Sequence, residues 1–190
     1  PTRAYIWDGI EGKSDKEYGK VVITKEYSDG DIITLMPHQT LVVDFGQNCA
    51  AVPSFVFQAE KGAQIHCEPA ELLNDGNGAY SRGMDGPEGS VHRLNLRIPN
   101  TGMMLDYIFG NNKPVCFQPR NTFYGYRFIS IVATEKVTFK STRSIPVTSI
   151  TKDMEIGNIT TGNESINRLI SNTLWGQRSN YLSIPTDCPQ

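Results

Sequence analysis

The sequence predicts a mainly β fold, an antiparallel β-sandwich or jelly roll, with one C-terminal α-helix. Three observations carry this. Short runs rich in β-branched and aromatic residues recur along most of the chain, separated by Gly, Asp and Asn. No helix-length amphipathic window falls between them, which argues against alternating βαβ units. Only after Ile145-Pro146 does the period change to that of a helix.

The strands follow in order. Lys20 to Tyr27 alternates and is rich in Val, Ile and Thr; a Ser28-Asp29-Gly30 turn leads into Asp31 to Met36. Thr40 to Phe45 is a short apolar run that Gly46 is expected to end, and Ser54 to Ala59 alternates until Lys61-Gly62 closes it. Gln64 to Glu68, Val91 to Ile98, Val115 to Phe117, Arg127 to Ala133 and Val137 to Ser141 complete the set. Between Asn74 and Ser90 the glycines at 76, 78, 83, 86 and 89 exclude regular structure and predict a long loop. Such a loop is either a surface excursion or a carrier of binding function. A second polar turn runs from Phe109 to Pro114.

The helix begins at a capping-box pattern, Thr161-Gly162-Asn163-Glu164, with Thr161 as the expected cap. Ile166, Leu169, Ile170, Thr173, Leu174, Gln177 and Tyr181 then recur at helical spacing. That stripe needs a partner, either the sandwich or another copy of the chain.

Composition narrows the class. With 190 residues the chain can bury a core without staples. Its 38% hydrophobic and 20% charged residues fit a globular protein. The net charge of −2 argues against nucleic-acid binding, which needs a concentrated basic surface. No run of roughly 18 apolar residues predicts a membrane span. Pro1 is not a natural start, so a preceding segment is expected to have been removed. Cys49, Cys67, Cys116 and Cys188 lack zinc-ligand spacing and read as small packed thiols. His38, His66 and His92 are scattered, each exposed or locally satisfied.

Several residue groups invite chemistry and also have a structural reading. Asp44, followed by Gly46, suits a carboxylate that accepts turn N–H groups. Tyr124-Gly125-Tyr126-Arg127 reads as the packed start of a strand, although Tyr and Arg also suit sugars. Glu68 and Glu71 are expected on either side of a Pro69 turn, not as an acid/base pair. Trp7, Tyr80 and Tyr107 are candidate stacking platforms, and Asp75, Asn77 and Asp85 offer oxygen ligands for calcium; no other cofactor is called for.

Four segments, in order from Thr40 to the end, resemble one family. Val42-Val43-Asp44-Phe45-Gly46-Gln47-Asn48 resembles a signature of the sandwich that precedes the catalytic barrel in bacterial α-L-rhamnosidases. Glu71-Leu72-Leu73-Asn74-Asp75-Gly76 is similar to a turn of that family. Arg120 to Phe128 resembles a third segment, departing at Asn121, where the family has an aromatic, and at Tyr124, where it has His. Leu174 to Gln190 resembles the start of the helical barrel, where the run Asp187-Cys188-Pro189-Gln190 leads into the segment bearing the general acid.

The resemblance implies a concanavalin-like sandwich and an inverting glycoside hydrolase acting on rhamnose-containing carbohydrate. It implies three parts: residues 1–39, an N-terminal segment or the tail of a preceding β domain; residues 40–147, the sandwich; and residues 148–190, a linker and the first helix of a truncated (α/α)6 barrel. Inversion needs two carboxyl groups roughly 6.5–9.5 Å apart. Both are expected beyond Gln190, so no catalytic residue is assigned here and this chain alone is expected to be inactive. Asp187 is carried over as the substrate-binding residue, a charged acceptor for sugar hydroxyls. Arg178 and Asn180, just before it on the helix, are expected to support it. Glycan foraging implies an extracytoplasmic or periplasmic setting. The alternative reading is a carbohydrate-binding module, assisted by calcium.

Overall fold

The computed structural model describes residues 1–78, 84–94 and 103–186. Eleven strands and one long helix are described: β1 Arg3–Glu11, β2 Lys20–Tyr27, β3 Ile33–Leu35, β4 Thr40–Ala59, β5 Gln64–Ala70, β6 Leu72–Leu73, β7 Val91–His92, β8 Leu105–Ile108, β9 Val115–Phe117, β10 Tyr124–Ala133, β11 Val137–Pro146 and α1 Glu164–Asn180. Nine strands form one antiparallel sheet in the order β2-β1-β4-β10-β5-β8, with β11 and β9 also on β4, and β3 on β11. The expected mainly β, antiparallel architecture with a single C-terminal helix is what the chain adopts.

The 20-residue β4 organises the sheet. Its first part, residues 40–44, lies between β1 and β10. Its last part lies between β11 and β9. One strand therefore belongs to both layers of a curled sheet, and the inward side chains of the two layers meet in one core. Ala4, Ile6, Leu41, Val43, Ile129 and Ile131 come from the first layer, and Ile33, Leu35, Phe55, Phe57, Val137 and Phe139 from the second. Alternation is the reason: in β4, Phe55 and Phe57 are fully buried while Ser54, Val56 and Gln58 are only partly so. Phe57 is central, with ring centroids of Phe55, Tyr107, Phe109, Phe117 and Phe139 all within 6.1 Å. A smaller cluster of Tyr5, Val42 and Phe128 lies on the opposite face of the first layer, joined by Trp7, Leu73 and Val91.

The structure corrects several sequence expectations. Gly46 does not end a strand; the two runs expected at Thr40–Phe45 and Ser54–Ala59 are one strand with an irregularity between them. Pro69 is inside β5, not in a turn. Proline is tolerated there because β8 pairs only with Gln64 to Cys67, leaving the outer side of Pro69 without a strand. Strands β1 and β8 were not anticipated. In β1 the buried residues Ala4, Tyr5 and Ile6 are consecutive and the rest are exposed or half-buried, so the alternation signal is missing. Of Val91 to Ile98, only Val91–His92 is strand, and residues 95–98 lie outside the described residues. The strands β1, β2 and β3 of the first 39 residues are hydrogen-bonded into the same sheet as β4.

Removing the Phe57 ring leaves a cavity among five other aromatic rings. F57A is expected to cost about 3–5 kcal/mol, read as a lower urea midpoint with an unchanged m-value.

Candidate functional site

Three features on or beside β4 gather the polar side chains singled out by the sequence. The first is the irregularity in β4. Tyr126 and Phe128 of β10 pair with Cys49 and Asp44, so residues 45–48 bulge out of the ladder. The Asp44 carboxylate holds the bulge. Its Oδ1 accepts the Gly46 N–H at 2.7 Å, the expected turn bond. Arg127 also donates to it from two nitrogens: Nε to Oδ1 and a terminal nitrogen to Oδ2, both at 2.8 Å. This bidentate pair raises the Arg127 pKa above its ordinary value. Gly46 has φ of 82°, and a Cβ there would stand 2.6 Å from the Thr2 methyl, so only glycine fits. Phe45 packs edge-on to Tyr126, whose hydroxyl accepts a hydrogen bond from Ser144 at 2.9 Å. Tyr124 and Tyr126 are buried, in line with packing and not with sugar stacking.

The second feature is the loop after β6. Asn74 is buried; its side chain donates to the Ser90 hydroxyl and the Val91 carbonyl and accepts the Asp85 N–H. Asp85 in turn accepts the backbone N–H groups of Arg93 and Leu94 and lies 3.2 Å from His92 Nδ1. Burial of the Asp85 carboxyl works against its charge, but these bonds outweigh it and hold its pKa below the ordinary value. Tyr5 donates to the Gly89 carbonyl at 2.5 Å, and burial pushes its phenol up to about 12. The described part of the loop is thus tied to the outer face of the first layer. Of the three oxygen donors considered for calcium, Asp75 bonds the backbone and side chain of Asn77, while Asp85 accepts the Arg93 and Leu94 backbone amides. Among the described residues no group of three or more His, Cys, Asp or Glu is placed to hold a metal.

The other candidates are dispersed. Glu68 lies 3.7 Å from His66 and 3.8 Å from Arg93, and Glu71 accepts a bond from Asn48. His66 Nδ1 is 2.7 Å from Asp106. Trp7 packs in the outer cluster and Tyr107 among Phe57, Phe109 and Phe117, so neither is a free platform. Tyr80 and Cys188 lie outside the described residues. Cys49 and Cys67 are buried and their thiols are pushed up in pKa by desolvation, while Cys116 is exposed.

The third feature is the junction of sheet, linker and helix. Asn163, not Thr161, caps α1, accepting the N–H groups of Ser165 and Ile166. Thr161 instead bonds Asn167, whose side-chain oxygen takes both its N–H and its hydroxyl. The anticipated stripe is mostly exposed: Ile166, Leu169 and Leu174 face outward. The helix docks through an adjacent face near its C-terminus, with Trp175 against the core and Ser179 buried. Ser179 Oγ accepts the Ala50 N–H of β4 at 3.1 Å. The next carbonyl but one, of Tyr181, receives three donors from the linker: Ser149 N–H at 2.7 Å, Ser149 Oγ at 2.9 Å and Thr148 Oγ1 at 3.3 Å. Beyond it a turn closes, with Tyr181 bridging Pro185 and Thr186 donating its N–H and its hydroxyl to the Asn180 carbonyl.

Of the residues assigned a site role, Arg178 donates twice to Glu155 and stacks over Trp175, 5.1 Å from the ring centroid. Asn180 sits at the base of the turn, its side-chain oxygen buried and without a partner among the described residues. Asp187 lies outside the described residues. Sequence reading missed Ser179, Ser149 and Glu155. The available signal was Trp175 and Ser179, four apart on one helix face beside the apolar stripe.

Comparison with known proteins divides the chain at this junction. A model of the bacterial alpha-L-rhamnosidase concanavalin-like domain matches residues 34–152. The chain belongs to this family. A model of the bacterial alpha-L-rhamnosidase 6 hairpin glycosidase domain matches residues 154–190. An alpha-L-rhamnosidase of Alteromonas sp. is 28% identical over 152 residues, 80% of this chain. One of Streptomyces avermitilis is 28% identical over 173 residues, 90% of this chain. The chain spans 15% of the length of each of these relatives. The solved structure of the S. avermitilis alpha-L-rhamnosidase complexed with L-rhamnose superposes at a TM-score of 0.56, with 26% identity, covering 85% of this chain and 15% of that one. The native Aspergillus terreus rhamnosidase shares the fold at a TM-score of 0.57 and 22% identity, covering 92% of this chain and 18% of that one. Among the described residues no helix is long and apolar enough to cross a membrane.

Two outcomes follow from the rhamnosidase sandwich geometry. D44A, which frees the Gly46 amide and leaves Arg127 unpaired, is expected to cost about 1–3 kcal/mol, with D44N intermediate because it keeps the turn acceptor; denaturant unfolding of both checks this. The Asp85 pKa is depressed on folding, so its contribution is present above the ordinary value of about 3.9 and is lost as pH falls through the folded value. Hydrogen-exchange protection at residues 84–94, relative to the intrinsic rate at each pH, should fall below about pH 4 in the wild type, and D85N should lack that step.

Proposed function

We propose that this chain is the sandwich portion and first helix of an α-L-rhamnosidase, an inverting hydrolase of terminal α-L-rhamnose in glycans or glycosides. The observation that carries the reading is the succession of two rhamnosidase family segments, 34–152 and 154–190, meeting where the helix end is bonded to the sheet. The sandwich is the non-catalytic support. It holds the first helix of the hairpin domain by its C-terminal end and leaves Ile166, Leu169 and Leu174 for the other helices to cover. One helix cannot enclose a sugar or set two carboxyl groups on opposite faces of its ring. The acid and base therefore belong to the rest of the hairpin domain, and the 190-residue chain alone does not hydrolyse rhamnosides. Asp187, one residue past the turn closed by Thr186, binds the rhamnose hydroxyls.

Hydrolysis of p-nitrophenyl α-L-rhamnoside tests this. Expected is turnover by the chain extended through the six-hairpin domain, as in its relatives, and none by residues 1–190. Turnover by the 190-residue chain would return Glu68, Glu71 and Asp187 to consideration as the catalytic carboxyls. An extended, folded chain without turnover would remove the rhamnosidase reading.

A further inference from the structure

We infer that Ser179 is a positioning residue: its bond to Ala50 fixes the helix end on the sheet and thereby places the 181–186 turn at the substrate side of the hairpin domain. This rests on the rhamnosidase reading for the word substrate, but the tie itself is independent of it.

Among the described residues, the helix meets the sheet near its C-terminal end, at Trp175 and Ser179. Ser179 is the buried residue of α1 and its hydroxyl is the acceptor for the amide of Ala50 in β4, a residue itself 1% exposed. The Ala50 carbonyl is engaged too, by the Val147 N–H at 2.9 Å, at the start of the linker. One residue of β4 is thus bonded to both segments that flank the linker. On the far side of the helix end, the Tyr181 carbonyl is held by Ser149 and Thr148 of the same linker. Arg178 is held by Glu155. The peptide that leaves the helix is therefore fixed from both sides before the turn begins. The turn's own bonds, Thr186 to Asn180 and Pro185 to Tyr181, return to these same residues.

A buried amide that loses its acceptor bears the full desolvation penalty, so the seam reacts to loss of this one oxygen more than to loss of volume. Ser179→Ala removes the acceptor. Ser179→Cys keeps a side chain of similar size with only a weak sulfur acceptor.

Hydrogen exchange on the 190-residue chain reads the tie. In both variants the amides of Ala50 and Thr186, both hydrogen-bonded in the wild type, are expected to exchange at least tenfold faster, with the core strands unchanged. Thr148→Ala/Ser149→Ala, on exposed positions, is expected to speed the Thr186 amide while leaving Ala50 protected, which covers the case of a Ser179 variant that fails to fold. In the extended enzyme, Ser179→Ala is expected to raise KM for the rhamnoside about fivefold or more with kcat within twofold. Unchanged exchange at the turn, wild-type exchange in Ser179→Cys, or a fall in kcat at constant KM would each overturn the inference. If the unsubstituted extended chain lacks turnover, the rhamnosidase reading falls, while the exchange result still decides the tie.

Discussion

The Asp44 carboxylate is the point on which the sheet depends. It faces the Gly46 amide and the Arg127 guanidinium together, and so holds the bulge at residues 45–48 where β4 changes partners. Each of its bonds is modest alone. Their effect is large because β4 is paired with β1, β9, β10 and β11, so the path of this single strand determines how the two layers of the curled sheet meet. A flat β4 would carry Phe55 and Phe57 away from Leu41 and Val43, and the common core would not form.

The bulge also has an effect at its far edge. Once past it, β4 presents Cys49, Ala50 and Ala51, all buried and small. Trp175 and Ser179 of the helix come down on this stretch. Small side chains let a helix approach a strand closely enough for a hydroxyl to reach a backbone amide. The same irregularity that shapes the sandwich therefore prepares the seat for the next family segment. The division of labour is physical: the aromatic core supplies stability, and the polar atoms at the seam supply direction.

Much of the fold was legible because β-branched runs and helical spacing mark an element locally, whichever face is finally buried. Strands β2, β9 and β11 follow their β-branched runs, and the helix follows its spacing after Glu164. What was not legible depends on distant partners. Gly46 has the appearance of a terminator, and it is the bond from Arg127 to Asp44, 83 residues apart, that helps keep it in the interior of a strand. Pro69 resembles a turn residue until the lack of an outer neighbour is known. Thr161 satisfies the capping pattern, but Asn163 lies closer to the first free amides and its oxygen reaches two of them. At the junction, the motif led to Arg178, Asn180 and Asp187, whereas the bonds to the sheet come from Ser179 and the Tyr181 carbonyl, which no periodicity marks. The backbone carbonyl in particular leaves no trace in side-chain identity.

The one-ended seating of the helix makes it a lever. Its 17 residues extend roughly 25 Å, and the described bonds to β4 are concentrated at the last turn. If the helix tilts by about 10°, its free N-terminal end swings by about 4 Å, while the residues at the fulcrum barely move. A domain that rocks on such a lever can breathe widely at its outer rim yet keep its innermost turn in register with the sheet. The fulcrum, and not the stiffness of the whole junction, sets how far the last turn of the helix would move in any such tilt.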